Sequence, residues 1–146
     1  MAEKVLFLGR AHWARQRGGM TMAKLLVVDD DEAVRMMLKF MLEKDSHDVI
    51  TAENGIQALN CLRKQLLDIV ILDIIMPEKE GFETIVELRR DYPRLKIIAI
   101  SGGGSIGATN YLKLAKTLGA HLTIEKPIRK EELKAAVRRL IPTEAH

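Results

Sequence analysis

The sequence predicts an α/β fold: a doubly wound, five-stranded parallel sheet in the order 2-1-3-4-5. Three observations carry this. Short unbroken apolar runs recur, clearest in Leu25-Leu26-Val27-Val28 and Ile69-Val70-Ile71-Leu72. Runs of that length without polar alternation mark strands buried on both faces, the habit of parallel sheets. Stretches with apolar residues at helical spacing separate the runs, and breaks rich in Gly, Pro or Asn divide one from the next. Right-handed crossovers leave few strand orders, and this one suits the chain length.

The elements follow in sequence. A first strand is expected over about Lys24–Val28, then a helix with its apolar stripe at Val34, Met37, Leu38, Met41 and Leu42. A short second strand near Asp48–Ala52 ends at Asn54-Gly55, which turns into a helix burying Ile56, Leu59 and Leu62. The third strand, Ile69–Leu72, is stopped by Met76-Pro77, and Gly81 leads into a helix with Phe82, Ile85 and Val86 inward. Pro93 separates that helix from a fourth strand at Ile97–Ile100. A Gly-rich loop and a helix near Asn110–Leu118 follow, and Gly119 suits the left-handed position that closes a helix. A fifth strand, Leu122–Ile124, is broken by Pro127. The last helix runs about Lys130–Ile141, with Leu133, Val137, Leu140 and Ile141 on one face. Met36, Met37 and Met41 are read as core filler.

The 146 residues suffice for one domain with a real core, and 47% apolar content fits that class. No apolar stretch is long enough to span a bilayer, so no membrane attachment and a cytoplasmic location are expected. The single cysteine, Cys61, excludes an internal disulfide, and four scattered His with one Cys argue against zinc. The net charge of +3 belongs to residues 1–22, where Lys4, Arg10, Arg15 and Arg17 face Glu3; the remainder holds nineteen basic and nineteen acidic residues. Direct nucleic-acid binding is therefore not expected from the basic balance. Residues 1–22 read as a basic arm or leader, 23–142 as the folded domain and 143–146 as a tail.

Ligands of open α/β sheets gather at the carboxyl ends of the strands. Asp29 and Asp30 follow the first strand and Asp73 the third, and the expected order makes these strands neighbours. Three carboxylates in one small site need protons or a hard cation, and oxygen clusters of this kind suit Mg²⁺. A carboxylate beside such a metal is a candidate nucleophile toward a phosphoryl group. Ser101 and Lys126 leave the adjoining strands at the same rim and supply a hydroxyl and an ammonium for phosphoryl oxygens. Lys126 precedes Pro127, and a cis bond there would be a natural way to aim the ammonium inward.

These blocks resemble the receiver domain of two-component response regulators. The matching stretches are Leu25-Leu26-Val27-Val28-Asp29-Asp30, Ile71-Leu72-Asp73-Ile74-Ile75-Met76-Pro77 with Gly81, Ile98-Ala99-Ile100-Ser101-Gly102, Gly119-Ala120 and Glu125-Lys126-Pro127. They span about residues 23–141 and imply the flavodoxin-like (βα)5 arrangement already argued. The resemblance further implies that Asp73 accepts a phosphoryl group from a histidine kinase or histidine phosphotransfer protein. It implies Mg²⁺ bound by Asp30 and Asp73, by Asp29 through water and by the carbonyl of Ile75, with Ser101 and Lys126 on the phosphoryl oxygens. With the chain ending at His146, a stand-alone phosphoacceptor is expected. Its output would pass through a partner protein, a homodimer or onward phosphotransfer.

Two departures stand out. Thr123 occupies the position where the family usually carries a switch aromatic, and Ser101 is followed by Gly102-Gly103-Gly104. A loop this rich in glycine has high entropy and low steric barriers, so its ordering by phosphate could take over the switch. Alternatives are a receiver-like interaction module that never uses phosphate, and hydrolysis of phosphate esters in trans with Glu78 or Glu80 nearby. A third is nucleotide binding through Gly102–Gly107, which fits G-x-G-x-x-G after a strand. Too little chain follows that motif to complete a nucleotide-binding half.

Overall fold

Every central strand is covered on both faces, which accounts for the unbroken apolar runs. The computed structural model of the chain describes residues 22–75, 80–102 and 108–141. Its elements are β1 (Lys24–Val28), α1 (Glu32–Lys44), β2 (Asp48–Ala52), α2 (Gly55–Lys64), β3 (Ile69–Asp73), α3 (Glu80–Asp91), β4 (Lys96–Ser101), α4 (Ala108–Leu118), β5 (Leu122–Glu125) and α5 (Lys130–Leu140). The five strands form one parallel sheet in the order β2-β1-β3-β4-β5, as expected.

Side chains alternate between the two faces along each strand. Leu26, Val28, Val70, Leu72, Ile97 and Ala99 pack against Ala58 and Leu62 of α2, Ile85 and Leu88 of α3, and Ala115 of α4. Leu25, Val27, Ile69, Ile71, Ile98 and Ile100 face Leu38 and Leu42 of α1 with Leu133 and Val137 of α5. Met22 and Ala23, just ahead of β1, are also buried. No helix among the described residues is long and apolar enough to cross a membrane.

Three helices differ from the expected stripes in phase. In α2 the inner face is Gly55, Ala58 and Leu62, and Ile56 is 70% exposed. In α3 Gly81, Thr84, Ile85 and Leu88 make the inner stripe, and Val86 faces solvent. In α1 Arg35, Leu38 and Leu42 are buried, whereas Met36 and Met37 are exposed rather than core filler. The reason is common to all three. Apolar residues occupy more than one face of each helix, and the small or polar residues Gly55, Ala58, Thr84 and Arg35 decide which face meets the sheet.

Local chemistry sets the ends of the helices. Asp31 caps α1, its Oδ1 accepting from the N–H groups of Ala33 (2.9 Å) and Val34 (3.4 Å). Asn54 caps α2 by accepting from the Gln57 N–H at 2.9 Å. Gly119 closes α4 at φ +132°, and a Cβ there would collide with the Arg89 side chain. Where the strands begin, His47 and His121 each accept a backbone N–H through Nδ1, from Ala23 and Ile97 respectively, both at 3.1 Å. The Lys126–Pro127 peptide is cis. Residues 1–21, Met76-Pro77, the Gly-rich loop at 103–107 and residues 142–146 lie outside the described residues, so the arm, the tail and the 102–107 motif stay as expectations.

Candidate functional site

In-register pairing builds the site. Val28 of β1 lies opposite Leu72 of β3, so the next residues, Asp29 and Asp73, leave the sheet abreast. Asp31 takes the α1 cap, which leaves Asp29 and Asp30 to the rim. One carboxylate oxygen from each of Asp29, Asp30 and Asp73 lies within 4.8 Å of the others. Among the described residues no other group of three His, Cys, Asp or Glu side chains comes together in this way. Asp29 and Asp73 are buried and Asp30 is exposed, so the cluster opens to solvent on one side.

Lys126 reaches in from the end of β5. Its Nζ donates to Asp73 Oδ2 at 3.1 Å and lies 3.6 Å from Asp29 Oδ2. Its backbone N–H donates to the Ser101 carbonyl at 2.8 Å and ties the ends of β4 and β5 together. Ser101 is fully buried, and among the described residues its Oγ has no hydrogen-bond partner. It follows Ile100, which lies opposite Asp73 in the sheet. Ile75 exposes its side chain and donates its N–H to Asp73 Oδ1 at 2.8 Å. Thr123 is half-buried on β5.

The charges are out of balance. Asp29 is 1% exposed, and burial lifts its pKa from 3.8 to about 6. The Asp31 N–H and the Lys126 charge oppose that rise, and the Asp73 charge adds to it. Burial works against the Lys126 ammonium too, but attraction to Asp73 and Asp29 outweighs it and leaves its pKa raised. One lysine does not neutralise three carboxylates. This donor set, all oxygen and partly open, fits a small hard cation that retains waters.

Sequence reasoning missed two contributors. Arg35, buried on α1, donates through Nη1 to the Asp29 carbonyl at 2.7 Å. Glu53, after β2, lies 3.6 Å from Arg35 Nη2. Gly81, already singled out in the sequence, gains its physical reason here: it presses on the residue after Asp73, and a Cβ there would sit 2.5 Å from Ile74 Cα. The available signal for Arg35 was a lone basic residue on an apolar stripe.

A parallel sheet of this order, with three carboxylates and a lysine on its carboxyl rim, defines a protein of the receiver class. The chain belongs to the response regulator receiver domain family, whose model matches residues 25–138. It is 34% identical over 120 residues to the transcriptional regulatory protein CpxR of Escherichia coli (strain K12), covering 82% of this chain and 50% of CpxR. Sporulation initiation phosphotransferase F of Bacillus subtilis (strain 168) is 28% identical over 123 residues, covering 84% of this chain and 97% of that protein. A response regulator receiver domain protein from Clostridium thermocellum superposes with a TM-score of 0.75 at 30% identity, covering 82% of this chain and 94% of that one. The chain spans about half the length of transcriptional regulators such as CpxR. Receiver domains serve two-component signalling as phosphoacceptors rather than as classical enzymes.

Proposed function

We propose that this receiver takes a phosphoryl group on Asp73, with Mg²⁺ held by Asp29, Asp30, Asp73 and the carbonyl of Ile75. The observation that carries the reading is the convergence of three carboxylates around one lysine on the carboxyl rim. Bound there, Mg²⁺ supplies the positive charge that lets the carboxylates and an anionic phosphoryl group share one pocket. The donor is a phosphohistidine on a histidine kinase or a histidine phosphotransfer protein. An Asp73 carboxylate oxygen attacks phosphorus; the new O–P bond forms as the P–N bond breaks, and the imidazole leaves with the electron pair. The Lys126 ammonium balances charge on the transferring oxygens.

Ser101 supplies the readout. A buried hydroxyl with no partner among the described residues is costly, and a phosphoryl oxygen on Asp73 offers it one. A shift of Ser101 toward that oxygen would move the end of β4 and present a changed surface to an output partner. The same self-catalysed pocket admits water for autodephosphorylation. The arm at residues 1–22, the domain at 23–142 and the tail at 143–146 complete the proposed organisation, and a cytoplasmic location suits it.

Intact-mass measurement tests the reading. Wild type incubated with acetyl phosphate and Mg²⁺ gains one phosphoryl group. Asp73→Asn gains none, and wild type with excess chelator gains none. A modified Asp73→Asn overturns the site, and modification indifferent to chelator overturns the role of Mg²⁺. Turnover of a phosphate ester by catalytic amounts of protein would instead favour hydrolysis in trans.

A further inference from the structure

We propose that Arg35 is a positioning residue for the acidic pocket: it fixes the Asp29–Asp30 peptide so that both carboxylates face one cation. The inference rests on the reading of that pocket as a Mg²⁺ site. Arg35 occupies the inner stripe of α1, and its side chain is only 10% exposed. A guanidinium so far from water needs partners. Its strongest is the Asp29 carbonyl, at 2.7 Å from Nη1. That oxygen belongs to the peptide unit joining Asp29 to Asp30. A peptide is planar, so holding its oxygen sets ψ of Asp29 and φ of Asp30 together.

The neighbouring contacts complete the clamp. The Asp29 N–H donates to the Ala52 carbonyl of β2 at 3.2 Å, and Asp29 Oδ1 accepts from the Asp31 N–H at 2.8 Å. The peptides on both sides of Asp29 are thereby anchored. Arg35 is in turn oriented by Glu53, whose Oε1 lies 3.6 Å from Nη2. Gln57 then fixes Glu53 twice: its Oε1 accepts the Glu53 N–H at 2.8 Å, and its Nε2 donates to Glu53 Oε2 at 3.2 Å. A chain of contacts therefore runs from the first turn of α2 through Glu53 and Arg35 to the acidic pair. Like charges at Asp29, Asp30 and Asp73 push the strand-end loop apart when no cation is present. The guanidinium meets Asp29 at the backbone and holds the loop against that push.

Groups that orient metal ligands from behind change metal affinity about 10–100-fold when removed. Mg²⁺ affinity, measured by calorimetric titration without any phosphoryl donor, is the readout. Arg35→Met should weaken Mg²⁺ binding about tenfold. Arg35→Lys, which keeps one donor for the carbonyl, should recover part of the loss. Glu53→Ala, at an exposed position, should cost less than Arg35→Met. The transfer rate at saturating Mg²⁺ should fall by less than the affinity does. Mg²⁺ affinity within twofold of wild type in folded Arg35→Met overturns the proposal. If Arg35→Met fails to fold, wild-type affinity in both Arg35→Lys and Glu53→Ala overturns it. Loss of Mg²⁺ affinity in these variants, in a protein that takes no phosphoryl group, would leave the positioning role standing and remove the phosphoacceptor reading.

Discussion

Replacing Asp29 by Asn should stabilise the protein in the absence of metal. Asp29 is almost fully buried, and its pKa stands at about 6 against 3.8 for an ordinary carboxyl. One pKa unit corresponds to about 1.4 kcal/mol, so ionising this group at neutral pH costs the fold about 3 kcal/mol. The sign follows from the two protonation states. Well below pH 3.8 the carboxyl is protonated in folded and unfolded chains alike, and no penalty arises. As pH rises toward and through 6, the unfolded chain releases the proton first, and folding must hold a charge that burial and Asp73 disfavour. Asn has the same shape, can still accept from the Asp31 N–H and carries no charge. Urea unfolding of wild type and Asp29→Asn across pH 4 to 7.5, with chelator present, measures the difference. It should grow from about 0.5 kcal/mol at pH 4 to about 3 kcal/mol at pH 7, roughly 10 °C in melting temperature. Saturating Mg²⁺ should stabilise wild type and narrow the gap. A variant no more stable than wild type at pH 7, or a difference independent of pH, would refute the account of charge crowding.

Other consequences are equally specific. Gly81→Ala forces a Cβ against the Ile74 backbone beside Asp73, so it should lose about 2 kcal/mol in urea unfolding and slow phosphorylation. Ser101→Ala removes a buried hydroxyl that has no partner among the described residues, so stability should hold or rise by about 1 kcal/mol while phosphoryl transfer slows. His47 and His121 are neutral acceptors for strand-starting N–H groups, and burial lowers the pKa of each. At His47 the Asp45 charge opposes that lowering and Arg138 adds to it; at His121 Lys96 and Arg89 add to it. Their contribution is full above pH 6.5 and is lost as pH falls through their lowered folded values. His47→Asn, which keeps an acceptor and does not titrate, should flatten part of the stability loss between pH 7 and 5, read by urea unfolding.

Much of the fold was legible because parallel strands announce themselves. Ile69 to Leu72 is buried on both faces, and its shortness and β-branched residues mark it as a strand rather than a buried helix. Strand order then brought Asp29, Asp30, Asp73 and Lys126 together without any knowledge of side-chain geometry. Helix phase was harder. Ile56 and Val86 are as apolar as their buried neighbours, and only packing against the sheet decides that Ala58 and Ile85 go inward. Arg35 was hard to place for a related reason: a lone basic residue on an apolar stripe is a signal, but its role stays open until its carbonyl partner is known. Asp31 resolved an ambiguity in the other direction, because one capping carboxylate at the start of α1 frees the preceding two for the pocket.

The most direct measurement is to locate the phosphoryl group itself. Wild type phosphorylated with acetyl phosphate and Mg²⁺, then reduced with borohydride, converts an acyl phosphate to an alcohol that tandem mass spectrometry assigns to one residue. Homoserine at position 73 and nowhere else is the expected result. Reduction at another carboxylate, or a phosphoryl group carried on a histidine with Asp73 untouched, would contradict the account.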